Sequence, residues 1–193
     1  MKKFAPVLVV VGILILGFLY FMNVKNKALL FSQATEKEWG NVNTAYQRRL
    51  DLIDNLVNTV KGAADFEKST LTAVVEARAK ATSVTIDPKN ITPAQLDQFN
   101  QAQSGITSSL SKLLVSVEAY PQLRATENFK QLQDELASTE NQILTARTRF
   151  NESVLAYNGY VLAMPQNIFL GSYTEKAYFK AVAGAENAPK VKF

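Results

Sequence analysis

The sequence predicts an all-α protein, in which an N-terminal transmembrane helix is followed by an elongated antiparallel helical bundle of three to four helices. An uncharged apolar run opens the chain, and apolar residues recur every three or four positions along three later stretches. Gly and Pro number only 8 and 6, which suits long helices better than a β-sandwich with many turns. The 193 residues suffice for one domain with an appendage. We expect a membrane anchor over 1–27 with its transmembrane helix at about 4–22, a helical bundle domain over 28–183 and an extended C-terminal tail over 184–193.

The anchor is predicted from residues 4–22, which read FAPVLVVVGILILGFLYFM without a charge. At ~1.5 Å per residue the run spans roughly 28 Å, close to the hydrocarbon thickness of a bilayer. Phe18, Tyr20 and Phe21 collect at its far end, where an interfacial aromatic belt is expected. A cleavable signal peptide would have a shorter apolar region and a small-residue cleavage site, which residues 23–27 do not resemble. A buried core helix would not need apolar residues on every face.

The flanks of the anchor do not predict its orientation. Lys2 and Lys3 precede the apolar run, and Lys25 and Lys27 follow it. Because the positive-inside rule compares Lys and Arg on the two sides, the count is a tie. The side of the membrane that holds the bundle therefore stays open on this criterion.

The first helix of the bundle is predicted to begin near Ala28 and to weaken at Gly62. Its apolar stripe consists of Val42, Tyr46, Leu50, Ile53, Val57, Val60 and Ala64, at intervals of three and four. Asp65 is expected to cap a continuation that holds Leu71 and Val74.

A polar stretch with two prolines then interrupts the chain between residues 83 and 93. Thr92-Pro93-Ala94-Gln95 matches a capping box with Pro at the first helical position, so a helix is predicted to start there. Tyr120-Pro121 should end it. Another long helix is expected over about 126–163, and a second capping-box match at residues 172–175 predicts a short helix to about Ala183.

Short connections between amphipathic helices favour neighbours that fold back on one another within one chain. Stripes with steps of three and four are equally compatible with an intermolecular coiled coil, so a homo-oligomer stays open.

Composition excludes several classes of active site. The chain contains no Cys and no His, so disulfides, thiolate sites, a Ser-His-Asp triad and a zinc-protease helix are ruled out. Neither a GxGxxG nor a Walker motif is present. We therefore predict no catalytic residue, no cofactor and no metal, and a protein that is not an enzyme. The net charge of +4 comes from 21 basic and 17 acidic residues mixed along the chain. This mixing favours contact with anionic lipid and no nucleic-acid partner.

Two groups of polar residues are candidates for an interaction surface or a structural polar cluster. Arg48, Arg49, Asp51 and Asn55 lie at helical spacing in the first bundle helix, and Glu140, Arg147 and Asn151 share a face of the last one. If the second group is buried, it needs partners such as Arg78 or Asn55. Read functionally, the first group is a surface for an anion or a partner, whereas the alternative is a salt-bridged helix face. The second group fits a register-fixing polar contact or a polar ligand site.

The chain also resembles the bacterial LemA proteins. After an N-terminal apolar anchor, the matching residues are Trp39 and residues 46–53, 55–57, 60–62, 66–67, 76–78, 120–123, 128–129, 132–133, 135–136, 139–143, 146–147, 150–151, 157–158 and 189–193. Together they cover nearly the whole chain. One departure is Asp54, where the family commonly has proline.

The resemblance implies a single-pass protein of the bacterial cytoplasmic membrane with a soluble helical bundle, whose molecular function is not established. It carries over no catalytic residue, and it implies a bundle in the cytoplasm. The leading hypothesis is a non-enzymatic, membrane-tethered module that contacts lipid through its first helix and binds a partner protein or organises membrane. The alternative is a ligand-binding or enzymatic bundle with a polar internal site around Glu140, Arg147 and Asn151.

Overall fold

The computed structural model describes residues 5–62 and 66–180, and this part of the chain contains helices and no strand. In chain order the helices are α1 (Ala5–Lys61), α2 (Lys68–Thr82), α3 (Pro93–Val117), α4 (Pro121–Arg124), α5 (Glu127–Val161) and α6 (Gln166–Phe169). The all-α prediction is confirmed. The predicted cap at Asp65 and the predicted tail over 184–193 lie outside the described residues.

The helix α1 runs without a break through both the apolar run and the first stripe of the bundle. It has 57 residues, or about 85 Å at ~1.5 Å per residue. The prediction of a separate helix that begins near Ala28 was wrong, because residues 23–27 contain neither Gly nor Pro and nothing there ends a helix. The division between anchor and bundle, still a prediction, falls inside this helix.

Exposure changes sharply along α1. The large apolar residues from Val7 to Leu19 are 45% to 69% exposed, and burial of apolar residues begins at Val24 and Ala28, which are 3% and 0% exposed. Within the described residues, α1 is the one helix that is long and apolar enough to cross a membrane.

The bundle consists of two helix pairs. The second half of α1 packs along α5, and α2 packs along α3. Trp39 contacts Phe150 near the middle of α5, whereas Arg49 reaches Glu140 nearer its start, so α1 and α5 are antiparallel. The core follows the long axis as three clusters, centred on Val24 with Tyr157, on Trp39 with Phe99 and Phe150, and on Ile53 with Leu113 and Phe129.

Local signals place three of the helix ends. The capping box at Thr92 is present, since the Gln95 N–H donates to Thr92 Oγ1 at 3.3 Å and the Thr92 N–H donates to Gln95 Oε1 at 3.0 Å. The helix α1 ends just before Gly62, and α3 ends at Val117, shortly before the Tyr120-Pro121 pair. These boundaries agree with the predictions.

The short helix predicted after residue 172 was wrong, because residues 173–180 have no helical structure. We call Tyr173–Lys180 the C-terminal segment. Lys176 and Phe179, three residues apart, bind Asn158 and Asn151, which are seven residues apart on α5. Seven helical residues rise about 10.5 Å, so the segment advances ~3.5 Å per residue, the spacing of an extended chain. Tertiary hydrogen bonds from α5 override the local capping pattern here.

Candidate functional site

Two asparagines of α5 bind the C-terminal segment as a pair of amide clamps. Asn158 Nδ2 donates to the Lys176 carbonyl at 2.8 Å, and the Lys176 N–H donates to Asn158 Oδ1 at 2.9 Å. Asn151 makes the same two bonds with the Phe179 backbone, both at 2.9 Å. A carboxamide presents one donor side and one acceptor side, so it satisfies both polar groups of an extended residue. Positions seven apart share a helix face, which is why both clamps engage one segment.

Lys176 carries a buried cation at the centre of this segment, with 2% of its surface exposed. Its Nζ donates to Thr35 Oγ1 at 3.0 Å, to the Pro88 carbonyl at 3.1 Å and to Ser32 Oγ at 3.3 Å. These partners are neutral oxygens, and the ammonium also lies 4.9 Å from the centre of the Tyr157 ring. Burial lowers the pKa of Lys176, and the more distant Glu36 and Asp87 oppose that shift. The residue ties α1, α5 and the loop between α2 and α3 together.

Arg49 forms the second buried cationic centre, in the middle of the bundle. It is 3% exposed, and its Nη2 donates to Thr107 Oγ1 on α3 at 2.7 Å. Its Nε lies 3.1 Å from Glu140 Oε1 on α5. Because Nε makes no hydrogen bond to any described residue, that contact is an ion pair with poor donor alignment. Glu140 therefore has Arg49 as its ion partner, in place of the expected Arg78 or Asn55.

Arg147 contacts the end of the C-terminal segment. Its guanidinium lies 4.5 Å from the centre of the Phe179 ring, and Nη2 donates to the Lys180 carbonyl at 3.2 Å. Buried Tyr46 lies close enough to the same guanidinium for its charge to act on the phenol. Burial raises the pKa of Tyr46, while the charges of Arg147 and Arg49 oppose that shift.

Arg49, Tyr46 and Arg147 border an open polar cleft between α1, α3 and α5, with a volume of about 770 Å³. We call it the polar cleft, and its lining includes Tyr46, Arg49, Gln103, Thr107, Glu140 and Arg147. Gln103 is 7% exposed, and its Oε1 has no hydrogen-bond partner among the described residues. A buried acceptor without a donor is costly, so Oε1 is an unused acceptor within the wall of the cleft.

The structure brings together Arg49, Glu140, Arg147 and Asn151, and separates the other four predicted residues. Arg48 and Arg149 line a shallow groove of about 480 Å³ between α1 and α5. Asp51 accepts from Gln47 Nε2 at 2.9 Å on the exposed face of α1. Asn55 borders a distal groove beside Glu135. Arg78 makes an ion pair with Asp54 that joins α2 to α1.

Sequence analysis did not propose Lys176, Phe179 or Gln103 as site residues. Nothing in the sequence around Lys176 distinguishes it from an exposed lysine. The one usable signal was the repeat of Asn151 and Asn158 at seven residues, which places two amides on one face. Within residues 5–62 and 66–180, no three acidic residues lie close enough to hold a metal ion.

Fold and site together define a helical bundle that is continuous with one long apolar N-terminal helix and is closed by an extended segment clamped to α5. The model of the LemA family matches residues 38–193. The chain belongs to the LemA family.

Proteins similar to this chain include a LemA protein and two magnetosome proteins. Protein LemA of Metamycoplasma hominis is 24% identical over 151 residues, which cover 77% of this chain and 65% of that protein. Magnetosome proteins MamQ 2 and MamQ 1 of Paramagnetospirillum magneticum are each 23% identical over 176 residues, which cover 80% of this chain and 64% of each relative. The chain thus spans just under two thirds of the length of these relatives.

Proposed function

We propose that this protein is a non-enzymatic, single-pass membrane protein whose helical bundle binds a partner protein close to the bilayer. The continuity of α1 carries the proposal. The exposed apolar run becomes the central bundle helix with no linker, and burial starts at Val24. A bundle joined this way is held at a fixed height above the membrane, which suits a fixed docking module better than a freely diffusing one.

The polar residues that are not used inside the bundle indicate where a partner binds. Arg49, Arg147 and Asn151 donate to groups of the bundle itself. Arg48 and Arg149 are instead exposed, and with Asn141 and Thr145 they line the groove between α1 and α5 that we call the arginine groove. Two guanidiniums beside amide and hydroxyl groups favour an acidic segment of a partner.

Site-specific photocrosslinking in native membranes tests this surface. A photoreactive side chain at Thr145 should give a discrete protein adduct, and the pair Arg48→Glu and Arg149→Glu should abolish it. The same probe at Lys112, an exposed position on α3, is the control and should give none. Equal adducts at both positions, or none at Thr145, would contradict the proposal.

We place the bundle in the bacterial cytoplasm, on the side that the family resemblance implies. Fusions at the C-terminus to alkaline phosphatase and to a fluorescent protein that matures in the cytoplasm test the orientation. Fluorescence without phosphatase activity is expected, and the reverse result would put the bundle on the opposite side.

A second candidate function, favoured by the polar cleft, is the binding of a small polar ligand between α1, α3 and α5. The unused Gln103 Oε1 needs a donor, and the guanidiniums of Arg49 and Arg147 line the same cleft. These features suit a small anion-bearing molecule that also carries an N–H or O–H group. A saturating ligand raises unfolding free energy by about 2.7 kcal/mol at a hundredfold excess over Kd. A carboxylate and phosphate panel should therefore raise Tm for the wild type more than for Gln103→Leu. Equal rises in Tm for the wild type and the variant, or no rise in either, would rule out this candidate function.

A further inference from the structure

An apolar patch lies where the bundle meets the predicted anchor. The turn between α5 and α6, together with α6, forms residues 162–169, which we call the apolar turn. Its large side chains are exposed: Leu162 is 53%, Met164 70%, Ile168 67% and Phe169 36% exposed. From Ser153 to Thr174 the sequence contains no Asp, Glu, Lys or Arg. Exposed apolar side chains grouped in one uncharged stretch mark a contact surface.

The apolar turn is fixed beside the end of the apolar run of α1. Phe169 makes edge contacts with Tyr20 and Phe21, with ring centres 5.9 and 6.0 Å apart. Its neighbour Leu170 is buried in the cluster that holds Val24, and Tyr160 donates to the Val24 carbonyl at 3.3 Å. The turn therefore cannot move away from α1 without disrupting the first core layer.

This position coincides with the predicted membrane surface. Tyr20 and Phe21 are the last aromatic residues of the apolar run, at the level where aromatic belts meet the headgroups. Lys25 lies one turn further along α1, with Nζ 5.3 Å from the Phe21 ring centre, as expected for a lysine that reaches toward lipid phosphates. A surface held against these residues faces the same layer of the bilayer.

We propose that the apolar turn inserts into the interfacial layer of the membrane that holds α1 and gives the bundle a second attachment point. The inference rests on the proposed membrane anchoring. Lipid is the occupant that the position favours, because the patch is continuous with the lipid-facing surface of α1. Irregular backbone is tolerated at this depth, since the interface still supplies water to unpaired polar groups. Two attachment points fix the tilt of the bundle as well as its height.

The absence of Cys from the sequence makes a single-cysteine test direct. The full chain, reconstituted in vesicles of phosphatidylethanolamine and phosphatidylglycerol, carries one environment-sensitive fluorophore at Met164→Cys or Ile168→Cys. Leu144→Cys, at a residue 65% exposed on α5 far from the turn, is the matched control. Leu14→Cys, at a residue 67% exposed in the apolar run, reports on the anchor itself. Nitroxide lipids labelled near the headgroup or deep in the acyl chain serve as quenchers.

The expected result is a blue shift and quenching by headgroup-level nitroxides at positions 164 and 168, quenching by deep nitroxides at position 14, and neither at position 144. Quenching at position 14 alone would overturn this inference and would still support the proposed membrane anchoring. A loss of quenching at all positions would overturn both. A blue shift at positions 164 and 168 that grows with protein density, without quenching by nitroxide lipids, would assign the patch to a second copy of the chain. That result would also overturn the inference.

Discussion

Substitution of Asn158 by alanine removes the inner clamp of the C-terminal segment. Asn158 is 3% exposed and makes both of its backbone bonds to Lys176, which is 2% exposed. Two net hydrogen bonds are worth about 2 kcal/mol, and each backbone group left buried without a partner adds ~1–3 kcal/mol. Because a detached segment returns these groups to water, most of the burial penalty is relieved, and we expect a net loss of roughly 2–4 kcal/mol. Detachment of the segment returns its backbone to water, so the response should be local release before global unfolding.

The single tryptophan of the chain reports this release. Trp39 stacks on Phe179, with ring centres 6.0 Å apart, so departure of the segment exposes the indole and shifts its emission to the red. In urea titrations of the full chain in mild detergent, the fluorescence and helix circular-dichroism transitions should coincide for the wild type. In Asn158→Ala the fluorescence transition should occur at a lower urea concentration than the circular-dichroism transition. Asn141→Ala, an exposed residue of the same helix, should change neither. Coincident transitions at the wild-type midpoint in Asn158→Ala would refute the reasoning.

Three further predictions concern other parts of the bundle. Glu140→Ala should cost about 1 kcal/mol, because the carboxylate that pairs with buried Arg49 is itself 50% exposed and the pair is screened by solvent, while exposed Glu152→Ala stays within ~0.5 kcal/mol in the same urea titrations. The pKa of Lys176 is lowered in the folded state. At pH values between that pKa and the ordinary lysine value, the unfolded chain therefore binds more protons than the folded one. Stability relative to Lys176→Met should therefore rise with pH up to about 10.4 and then level off. A difference that is flat with pH would contradict this. Thr92→Ala should lower stability by about 1 kcal/mol through loss of the capping box at α3, measured as a lower urea midpoint.

Features set by local sequence were predictable. The stripes with steps of three and four gave the helices, and the Thr92–Gln95 pair gave the start of α3, because both depend on residues within two turns of each other. The prediction near Ala28 failed for a different reason. A change from exposed apolar residues to core-facing residues alters what covers a helix, and it does not by itself interrupt the helix, so α1 continues through it.

The C-terminal segment was not predictable from its own residues. Residues 172–175 satisfy a capping pattern, yet the backbone of the segment is bound by distant side chains, among them Asn151 and Asn158 on α5. The partners of Lys176 lie as far away as Thr35, 141 positions earlier in the chain. Such contacts depend on the packing of α1 against α5, which a periodic pattern does not encode.

Arg48 and Arg49 show how the same residue type takes two roles. Neighbouring residues on a helix point about 100° apart, so one turns into the bundle toward Thr107 and Glu140 while the other faces the arginine groove. A change at Arg49, Arg147 or Asn151 alters internal hydrogen bonds. A loss of partner or ligand binding in such a variant would therefore reflect lower stability of the bundle. Within residues 5–62 and 66–180, the guanidiniums of Arg48 and Arg149 and the Oε1 of Gln103 form no hydrogen bond or ion pair. Changes at these three residues therefore separate the two candidate functions, since Arg48 and Arg149 probe a protein partner and Gln103 probes a ligand in the polar cleft.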